Sequence, residues 1–221
     1  MLYRITVFLL IIIVAGLLVF SPTIDPIIAT STYHANTRQF IGEISTTCDI
    51  IYYMVPVISV LLIVIPFIVL WLSYYKKISL SQTRAKRFAA ITLLSLAIGP
   101  GILVNTLFKN NWGRARPYQV LRDHGQYSKF WQPHFNRPLD NSFPSGHASI
   151  GFFLGIPFLA LGYRKRALLL SLTGITVIGG VRILQGGHYL SDVICAGVIV
   201  YLSSELVIFI VNRFDQERAK Q

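Results

Sequence analysis

Long apolar segments separated by short polar stretches account for most of this 221-residue chain. A helix needs about 20 mostly apolar residues to cross the hydrocarbon core of a bilayer. On that criterion the pattern predicts six membrane-spanning helices, at residues 5–20, 50–73, 88–108, 148–163, 167–183 and 193–212. We therefore expect an all-α polytopic membrane protein whose whole chain, residues 1–221, forms a single domain.

Composition agrees with a membrane-embedded chain. The sequence is 53% hydrophobic and 13% charged, whereas soluble domains carry about 25% charged residues. The first segment could be a signal peptide, but no small-residue cleavage site follows it, which favours a retained anchor. Glu205 is the only acidic residue inside a predicted segment. We expect it to reach the membrane surface from near a helix end, rather than to face other helices.

The net charge of +11 is unevenly distributed between the two sides of the predicted bundle. Most cations lie at the chain ends, between the second and third segments or between the fourth and fifth: Arg4, Lys76, Lys77, Arg84, Lys86, Arg87, Arg164, Lys165, Arg166, Arg213, Arg218 and Lys220. The positive-inside rule makes that side cytoplasmic, so both termini are expected in the cytoplasm. This account of the charge argues against a nucleic-acid partner.

The remaining cations fall on the opposite, outer side: Arg38, Lys109, Arg114, Arg116, Arg122, Lys129, Arg137 and Arg182. Binding to lipid head groups would explain some of them. Lys109 and Arg116, however, follow the third segment, and Arg182 closes the fifth. A cation close to hydrocarbon is unfavourable unless an anion meets it, and a phosphate is the obvious anion at a membrane surface. Cys48 and Cys195 also fall near this side, where a single disulfide is conceivable.

The tetrad Pro144-Ser145-Gly146-His147 stands at the start of the fourth segment, on the same side. A helix N-terminus offers free N–H groups and a partial positive charge, which together favour an anion. Gly146 would let the backbone approach a ligand closely, and Ser145 would supply a hydroxyl or an N-cap. Because Pro-Ser-Gly is also an ordinary turn into a helix, the tetrad alone does not decide the matter.

Two histidines flank the predicted phosphate site. His188 precedes Asp192 by four residues, so in a helix the imidazole and the carboxylate share a face. The carboxylate would fix the tautomer of the ring and raise its basicity, which suits a nucleophile. His147 suits a general acid for the leaving oxygen. The residues alone do not decide which histidine attacks. A metal site of two histidines and a carboxylate is disfavoured, because the neighbouring cations would repel the metal.

These residues together resemble the type 2 phosphatidic acid phosphatase (PAP2) superfamily, whose signatures are KxxxxxxRP, PSGH and SRxxxxxHxxxD. Here they read Lys109-NNWGRA-Arg116-Pro117, the tetrad at 144–147, and Val181-Arg182-ILQGG-His188-YLS-Asp192. Val181 stands where the family has a serine that is thought to help bind phosphate, so one phosphate contact is in doubt.

The resemblance implies a six-helix membrane lipid phosphatase with no metal or other cofactor and a motif-bearing core at about residues 88–212. His188 would be the nucleophile and form a phosphohistidine, Asp192 would orient it, and His147 would protonate the leaving group. The phosphate would be held by the remaining motif residues: Lys109, Arg116, Arg182, Ser145 and Gly146. Arg114 lies in the unspecified spacer of the first signature and is expected to be dispensable.

A narrower resemblance concerns the substrate. Residues 97–117, AIGPGILVNTLFKNNWGRARP, look like the corresponding stretch of bacterial lipid A phosphatases in this superfamily. Gly99-Pro100-Gly101 within it predicts a helix kink. The preferred substrate is therefore lipid A, in the periplasmic leaflet of a bacterial inner membrane. The intact PSGH motif keeps phosphatidylglycerophosphate and undecaprenyl diphosphate as alternatives.

Two further alternatives stay open. A lipid phosphotransferase would share the first chemical step. A transporter of lipids or anions is disfavoured, because the polar groups gather at one membrane surface and no internal repeat is visible. The outer segment 118–143 is rich in aromatic and basic residues, which indicates either selection of a lipid head group or an interfacial aromatic belt.

Overall fold

The computed structural model describes residues 2–77, 80–137 and 140–218, without the side chains of residues 2–10 and 218. The fold is mostly helical: α1 (Leu2–Ser31), α2 (Thr46–Tyr74), α3 (Gln82–Leu96), α4 (Pro117–Arg122), α5 (Gly146–Phe153), α6 (Ile156–Ala160), α7 (Arg164–Leu184) and α8 (Leu190–Arg218). The all-α prediction misses one antiparallel hairpin, β1 (Tyr33–His34) with β2 (Gln39–Phe40). A 3₁₀ turn at Ile41–Ile44 follows it. Lys220 and the side chains of Arg4 and Arg218, which entered the charge argument, lie outside the described residues.

Five helical stretches among the described residues are long and apolar enough to cross a membrane: Ile11–Ser31, Thr46–Tyr74, Gln82–Phe108, Arg164–Leu184 and Leu190–Glu217. They correspond to five of the six predicted segments. The predicted segment 148–163 is instead the shorter apolar stretch Gly146–Ala160, divided between α5 and α6. The predicted count of six spans is therefore unconfirmed.

Helix α1 continues well beyond Phe20, where the predicted first segment ended. Its last three turns carry buried polar side chains, with Ser21 3% exposed and Asp25 1% exposed. Asp25 is therefore an acidic residue inside a helix, and the sequence pattern did not predict this position for it. Glu205, by contrast, lies mid-helix in α8 and is exposed, so it does not face the other helices.

Small residues allow the helices around the site to pack closely. A Cβ atom at either Gly151 of α5 or Gly174 of α7 would collide with the backbone carbonyl of the other. A Cβ at Gly179 would likewise collide with Val193 of α8. Close backbone approach between small residues is a common way to join helices inside a membrane. These contacts hold α5 against the middle of α7, and the later turns of α7 against the first turn of α8.

Helix α3 passes into a π-helical stretch, Ala97–Phe108, which contains the Gly99-Pro100-Gly101 sequence where a kink was predicted. Proline lacks the N–H that an α-helical turn requires, which favours such a local change of winding. The side-chain amide of Asn105 donates to the Pro100 carbonyl at 2.7 Å, and the Thr106 hydroxyl donates to the Gly101 carbonyl at 3.1 Å. These side chains satisfy carbonyl groups within the stretch that ends just before Lys109.

Candidate active site

The three sequence motifs meet at one end of the helical bundle. The Ser145 N–H donates to the backbone carbonyl of Asp192 at 3.2 Å, which joins the second motif to the third. The Ser142 N–H donates to the carbonyl of Arg114 at 2.9 Å, which joins the approach to the second motif to the first. Both cysteines in this region are free, Cys48 buried and Cys195 half-buried, so the conceivable disulfide is not formed.

Lys109, Arg116 and Arg182 form a cationic cluster at this end. Burial and the positive charges of Arg116 and Arg182 together lower the pKa of Lys109 to about 8. Among the described residues, the Nε atoms of both arginines are buried and have no hydrogen-bond partner. Buried polar groups are nearly always satisfied, so two unpaired guanidinium N–H groups indicate a place for an anion.

Other contacts fix the orientation of the two guanidinium groups. Arg116 donates from Nη2 to the Asn141 side-chain oxygen at 2.5 Å, and Arg182 donates from Nη1 to Gln185 Oε1 at 2.6 Å. A Cβ atom at Gly187 would collide with the Arg182 guanidinium, so this glycine leaves room for it. Both arginines are therefore held through their terminal nitrogens while Nε remains available.

Ser145 caps α5, the second of the two roles that the sequence left open. Its hydroxyl accepts from the Ala148 N–H at 3.3 Å, and the residue is completely buried. A Cβ atom at Gly146 would collide with the side-chain oxygen of Asn105, so this glycine permits α5 to approach the π-helical stretch. The first N–H groups of α5 lack intrahelical partners and point out of its N-terminus. Val181, which replaces the family serine, is 6% exposed.

The ring of His188 is held by a residue that the sequence analysis did not identify. Its Nδ1 lies 2.6 Å from the backbone carbonyl of Ser142. The carboxylate of Asp192 is 3.8 Å from the same nitrogen, an ion-pair distance rather than a hydrogen bond. A carbonyl accepts only, so Nδ1 carries the proton and Nε2 keeps its lone pair. His188 lies close to Asp192 as predicted, but it precedes α8, which begins at Leu190, so the proximity is not that of one helix face. The direct orienting contact comes from the backbone.

His188 is 1% exposed. Burial and the positive charges of Arg182 and Arg116 together lower the pKa of His188 to about 3, although the carboxylate of Asp192 acts in the opposite direction. The imidazole is consequently neutral at ordinary pH, which is the nucleophilic form.

Asp192 is completely buried and fully engaged. Its Oδ2 accepts from the Ser142 hydroxyl at 2.6 Å and from the Tyr189 N–H at 2.8 Å. Its Oδ1 accepts from Arg114 Nη1 at 2.5 Å. Ser142 therefore touches both members of the His188–Asp192 pair, one through its carbonyl and the other through its hydroxyl.

The environment of Arg114 contradicts the expectation that this residue is dispensable. It is completely buried, pairs with Asp192, and also pairs with Asp25 of α1 at 2.9 Å. Its guanidinium lies 4.4 Å from the centre of the Tyr189 ring. Burial alone would lower the pKa of Arg114, but the carboxylates of Asp192 and Asp25 together raise it above its ordinary value. The motif leaves the position of Arg114 unspecified, so it does not predict where this side chain points.

Tyr52 of α2 adds an aromatic ring to the site. The ring lies parallel to that of His147, with centroids 4.5 Å apart. The guanidinium of Arg182 lies 4.7 Å from the centre of the same tyrosine ring. Tyr52 thus lies between the predicted general acid and a predicted phosphate ligand. No feature of the sequence distinguished it from other tyrosines near a membrane surface.

A cavity of about 260 Å³ opens beside Arg182. Its wall combines aromatic, acidic, basic and amide groups from α2, α4, the 3₁₀ turn and the loop before α8: Glu43, Asp49, Tyr52, Tyr53, Tyr118, Arg122, Arg182, Gln185 and Gly187. Within the outer segment 118–143, Tyr118 and Arg122 line this cavity. Tyr127 of the same segment instead lies near Arg114, 5.7 Å from its guanidinium. The described residues contain no group of three or more histidine, cysteine, aspartate or glutamate side chains arranged to hold a metal ion.

Comparison with known proteins matches residues 88–216 to the PAP2 superfamily. A lipid A 4'-phosphatase from Francisella tularensis subsp. novicida (strain U112) is 32% identical over 200 residues, covering 87% of this chain and 88% of the relative. A lipid A 4'-phosphatase from Rhizobium leguminosarum is 31% identical over 162 residues, covering 66% of this chain and 65% of the relative. No solved structure gives a significant match. Because the match covers more than half of the sequence, the chain belongs to the PAP2 superfamily.

Proposed function

We propose that the protein is a multi-pass membrane phosphatase that removes a phosphate from lipid A in the periplasmic leaflet of a bacterial inner membrane. The whole chain, residues 1–221, would form one phosphatase domain. The observation that carries the proposal is the meeting of two unpaired arginine N–H groups, Lys109 and two histidines at one end of the bundle. That arrangement matches the needs of phosphoryl transfer, which depends on positioning and charge neutralisation.

In the first step, Nε2 of His188 attacks phosphorus. The bond from phosphorus to the lipid oxygen breaks, and its electron pair stays on that oxygen. Burial and the three cations lower the pKa of His147 to about 4, but a bound phosphate dianion offsets those cations and favours the imidazolium, which donates its proton to the leaving oxygen. The product is a phosphohistidine whose ring retains the Nδ1 proton and carries a positive charge. Lys109, Arg116 and Arg182 neutralise the phosphoryl oxygens, and the first turn of α5, which begins at Gly146, adds backbone N–H donors.

In the second step, water attacks the phosphohistidine while His147 accepts a proton from it. The N–P bond breaks, its electron pair returns to Nε2, and inorganic phosphate leaves. Neither step requires a metal ion or another cofactor, because the three cations supply the charge that a metal would supply.

Both relatives are lipid A 4'-phosphatases, and the cavity beside Arg182 also supports lipid A as the substrate. His147 must face the leaving oxygen, and Tyr52, which stacks on His147, lines the cavity beside Arg182. The alcohol that leaves would therefore enter this cavity. Its wall of tyrosine, carboxylate and amide groups offers acceptors and donors for a polyhydroxylated head group such as the sugar of lipid A.

The charge distribution supports a periplasmic site. The first turns of α3 and α7 carry basic residues and lie at the end of the bundle opposite the motifs, where Arg87 donates to Asn212 of α8 at 2.6 Å. A single cysteine at position 126, in a background lacking Cys48 and Cys195, should react with a membrane-impermeant thiol reagent added to the periplasm. Reaction only from the cytoplasm would overturn the assigned orientation.

The function is tested with purified protein in detergent, supplied separately with lipid A, phosphatidylglycerophosphate and undecaprenyl diphosphate, with and without a chelator. We expect phosphate release to be fastest from lipid A and unaffected by the chelator. A strong preference for another lipid would discard lipid A but leave the mechanism. No release from any phospholipid would overturn the phosphatase and favour a transporter.

A phosphotransferase shares the first step and differs in the acceptor. Product analysis with and without an added acceptor lipid separates the two activities. A phosphorylated acceptor in place of inorganic phosphate would show that the protein transfers the phosphate to another lipid and does not release it by hydrolysis.

A further inference from the structure

A buried chain of charges connects α1 to the His188–Asp192 pair. Asp25 accepts from Arg114 at 2.9 Å and from both the N–H and the hydroxyl of Ser191, at 3.0 and 2.5 Å. Ser191 also accepts from Arg114 Nη1 at 2.8 Å. Arg114 in turn pairs with Asp192. All of the contacts to Asp25 come from donors, which stabilise the carboxylate against the cost of its burial.

The charges of this cluster do not cancel. With both carboxylates ionised, Asp25 and Asp192 bring two negative charges against the single positive charge of Arg114, so the cluster then has one net negative charge. All three side chains are at most 1% exposed, so solvent screens this charge only weakly. The paired carboxylate of Asp192 lies 3.8 Å from Nδ1 of His188.

The proposed reaction creates a positive charge at that position. When Nε2 of His188 bonds to phosphorus, the ring keeps its Nδ1 proton and becomes a cation, while Arg116 and Arg182 on its other side oppose that charge. If Arg114 were paired with Asp192 alone, the pair would be neutral and would give the new cation little stabilisation. The second carboxylate, that of Asp25, gives the cluster a net negative charge next to the His188 ring.

We infer that Asp25 and Arg114 are positioning residues of the phosphoryl-transfer site: Arg114 fixes the carboxylate of Asp192, and Asp25 supplies the unbalanced negative charge that stabilises the His188 cation. This inference rests on the proposed function and deepens it. Asp25 lies outside the region matched to the superfamily, residues 88–216, so it extends the site into α1.

A purely structural tie between α1 and α8 makes a different prediction. If Asp25 and Arg114 served only to hold the helices together, their replacement would change thermal stability but leave the rate of phosphoenzyme formation in the folded protein unchanged. If charge balance matters, removing Arg114 from a chain that already lacks the Asp25 charge returns the cluster to one net negative charge. Replacement of a buried charged network by apolar groups is tolerated in other folds, so such a double variant is a reasonable construction.

The experiment compares Asp25→Asn, Arg114→Met, the double variant and wild type as full-length proteins in detergent. Turnover and KM are measured with lipid A, or with whichever lipid phosphate wild type prefers, and rapid quenching follows formation of acid-labile phosphoenzyme. Glu205→Gln is the matched acid-to-amide control, because Glu205 is exposed on α8. Gel filtration and thermal unfolding check that each variant is folded.

We expect Asp25→Asn to lower kcat and the rate of phosphoenzyme formation about tenfold, the effect of about 1.4 kcal/mol, with KM within twofold of wild type. The double variant should be faster than Asp25→Asn, and Glu205→Gln should equal wild type. A double variant that folds but is slower than Asp25→Asn would overturn the inference. Should the double variant not fold, an unchanged kcat in the isosteric Asp25→Asn variant would overturn it. A wild-type protein that is inert towards every lipid phosphate would instead overturn the proposed function.

Discussion

The phenol ring of Tyr52 lies flat against the imidazole of His147, with centroids 4.5 Å apart and planes inclined by 12°. The opposite helix, α7, brings the guanidinium of Arg182 to 4.7 Å from the centre of the same phenol ring. One aromatic side chain of α2 therefore contacts both the proposed general acid and a proposed phosphate ligand. We expect Tyr52 to support activity through the face of its ring rather than through its hydroxyl.

Replacement of Tyr52 tests this contact. Tyr52→Leu should lower kcat/KM about tenfold, because stacking and cation–π contacts each contribute roughly 0.5–2 kcal/mol. Tyr52→Phe keeps the ring and should stay within about threefold of wild type. Steady-state kinetics with a lipid phosphate give the comparison. Equal losses in the two variants would show that the hydroxyl, not the ring face, is what the site requires.

The nucleophile can be identified directly. His188→Ala should abolish turnover, and Asp192→Asn should lower it severely while leaving some phosphoenzyme detectable. The physical reason is that, among the histidines the structure describes, only His188 presents an unprotonated nitrogen whose partner nitrogen is held, at 2.6 Å, by a backbone carbonyl. Acid-labile phosphate trapped on His188, located by mass spectrometry, would support the assignment. Undiminished turnover in His188→Ala would exclude His188 as the nucleophile.

The membrane helices were largely predictable because their signal is carried by long runs of apolar residues. The motif residues also converge as the sequence predicted, since each motif lies at the end of such a run. The fourth segment was less predictable: Gly155-Ile156-Pro157 divides it between α5 and α6, although its residues remain apolar. Hydropathy reports the environment of a segment and not the continuity of its helix.

The parts of the site that the sequence did not reveal are held by long-range contacts. Asp25 lies beyond residue 20, where the predicted first segment ends, whereas in the fold α1 continues to Ser31 and Asp25 pairs with Arg114. Tyr52 and Ser142 act through a ring face and a backbone carbonyl, and neither kind of contact leaves a distinctive pattern in one sequence. Arg114 lay within a motif but at a position that the motif leaves unspecified.

Arg116→Lys tests the geometry of the phosphate site. The arginine is tied to Asn141 through Nη2 while its Nε stays unpaired, and a lysine cannot make two such directed contacts from one planar group. We expect a loss of about 1–3 kcal/mol in transition-state binding, the scale of a charged hydrogen bond. Kinetics with the preferred lipid measure it. Arg137→Lys is the control, because Arg137 bonds to Gln126 at the exposed surface. Equal effects of the two substitutions would contradict a directed role for Arg116.

Activity should fall in alkaline solution as Lys109 loses its charge. Burial beside two arginines lowers the pKa of Lys109 to about 8, so the free enzyme loses a phosphate-binding cation above that pH. We expect kcat/KM to decline above about pH 8, and kcat to decline only at higher pH, because bound phosphate favours the protonated amine. Lys109→Arg should move the decline in kcat/KM upward, since a guanidinium stays charged. A decline that remains near pH 8 in that variant would assign it to another group.

The cavity beside Arg182 should determine which alcohol the enzyme releases. Asp49 is exposed on its wall, and among the described residues its side chain accepts only one hydrogen bond, a long one of 3.4 Å from Gln185. It is therefore free to accept hydrogen bonds from a sugar. Asp49→Asn should raise KM for lipid A about tenfold, the effect of one charged hydrogen bond. The same substitution should change KM for farnesyl phosphate less than twofold, because farnesol, the alcohol released from it, has no further hydroxyl groups.

Asp123→Asn serves as the control, since Asp123 is an exposed acid of the outer segment that does not line the cavity. A uniform change in KM for both lipids would mean that Asp49 acts through general electrostatics, and the cavity would lose its proposed part in substrate selection.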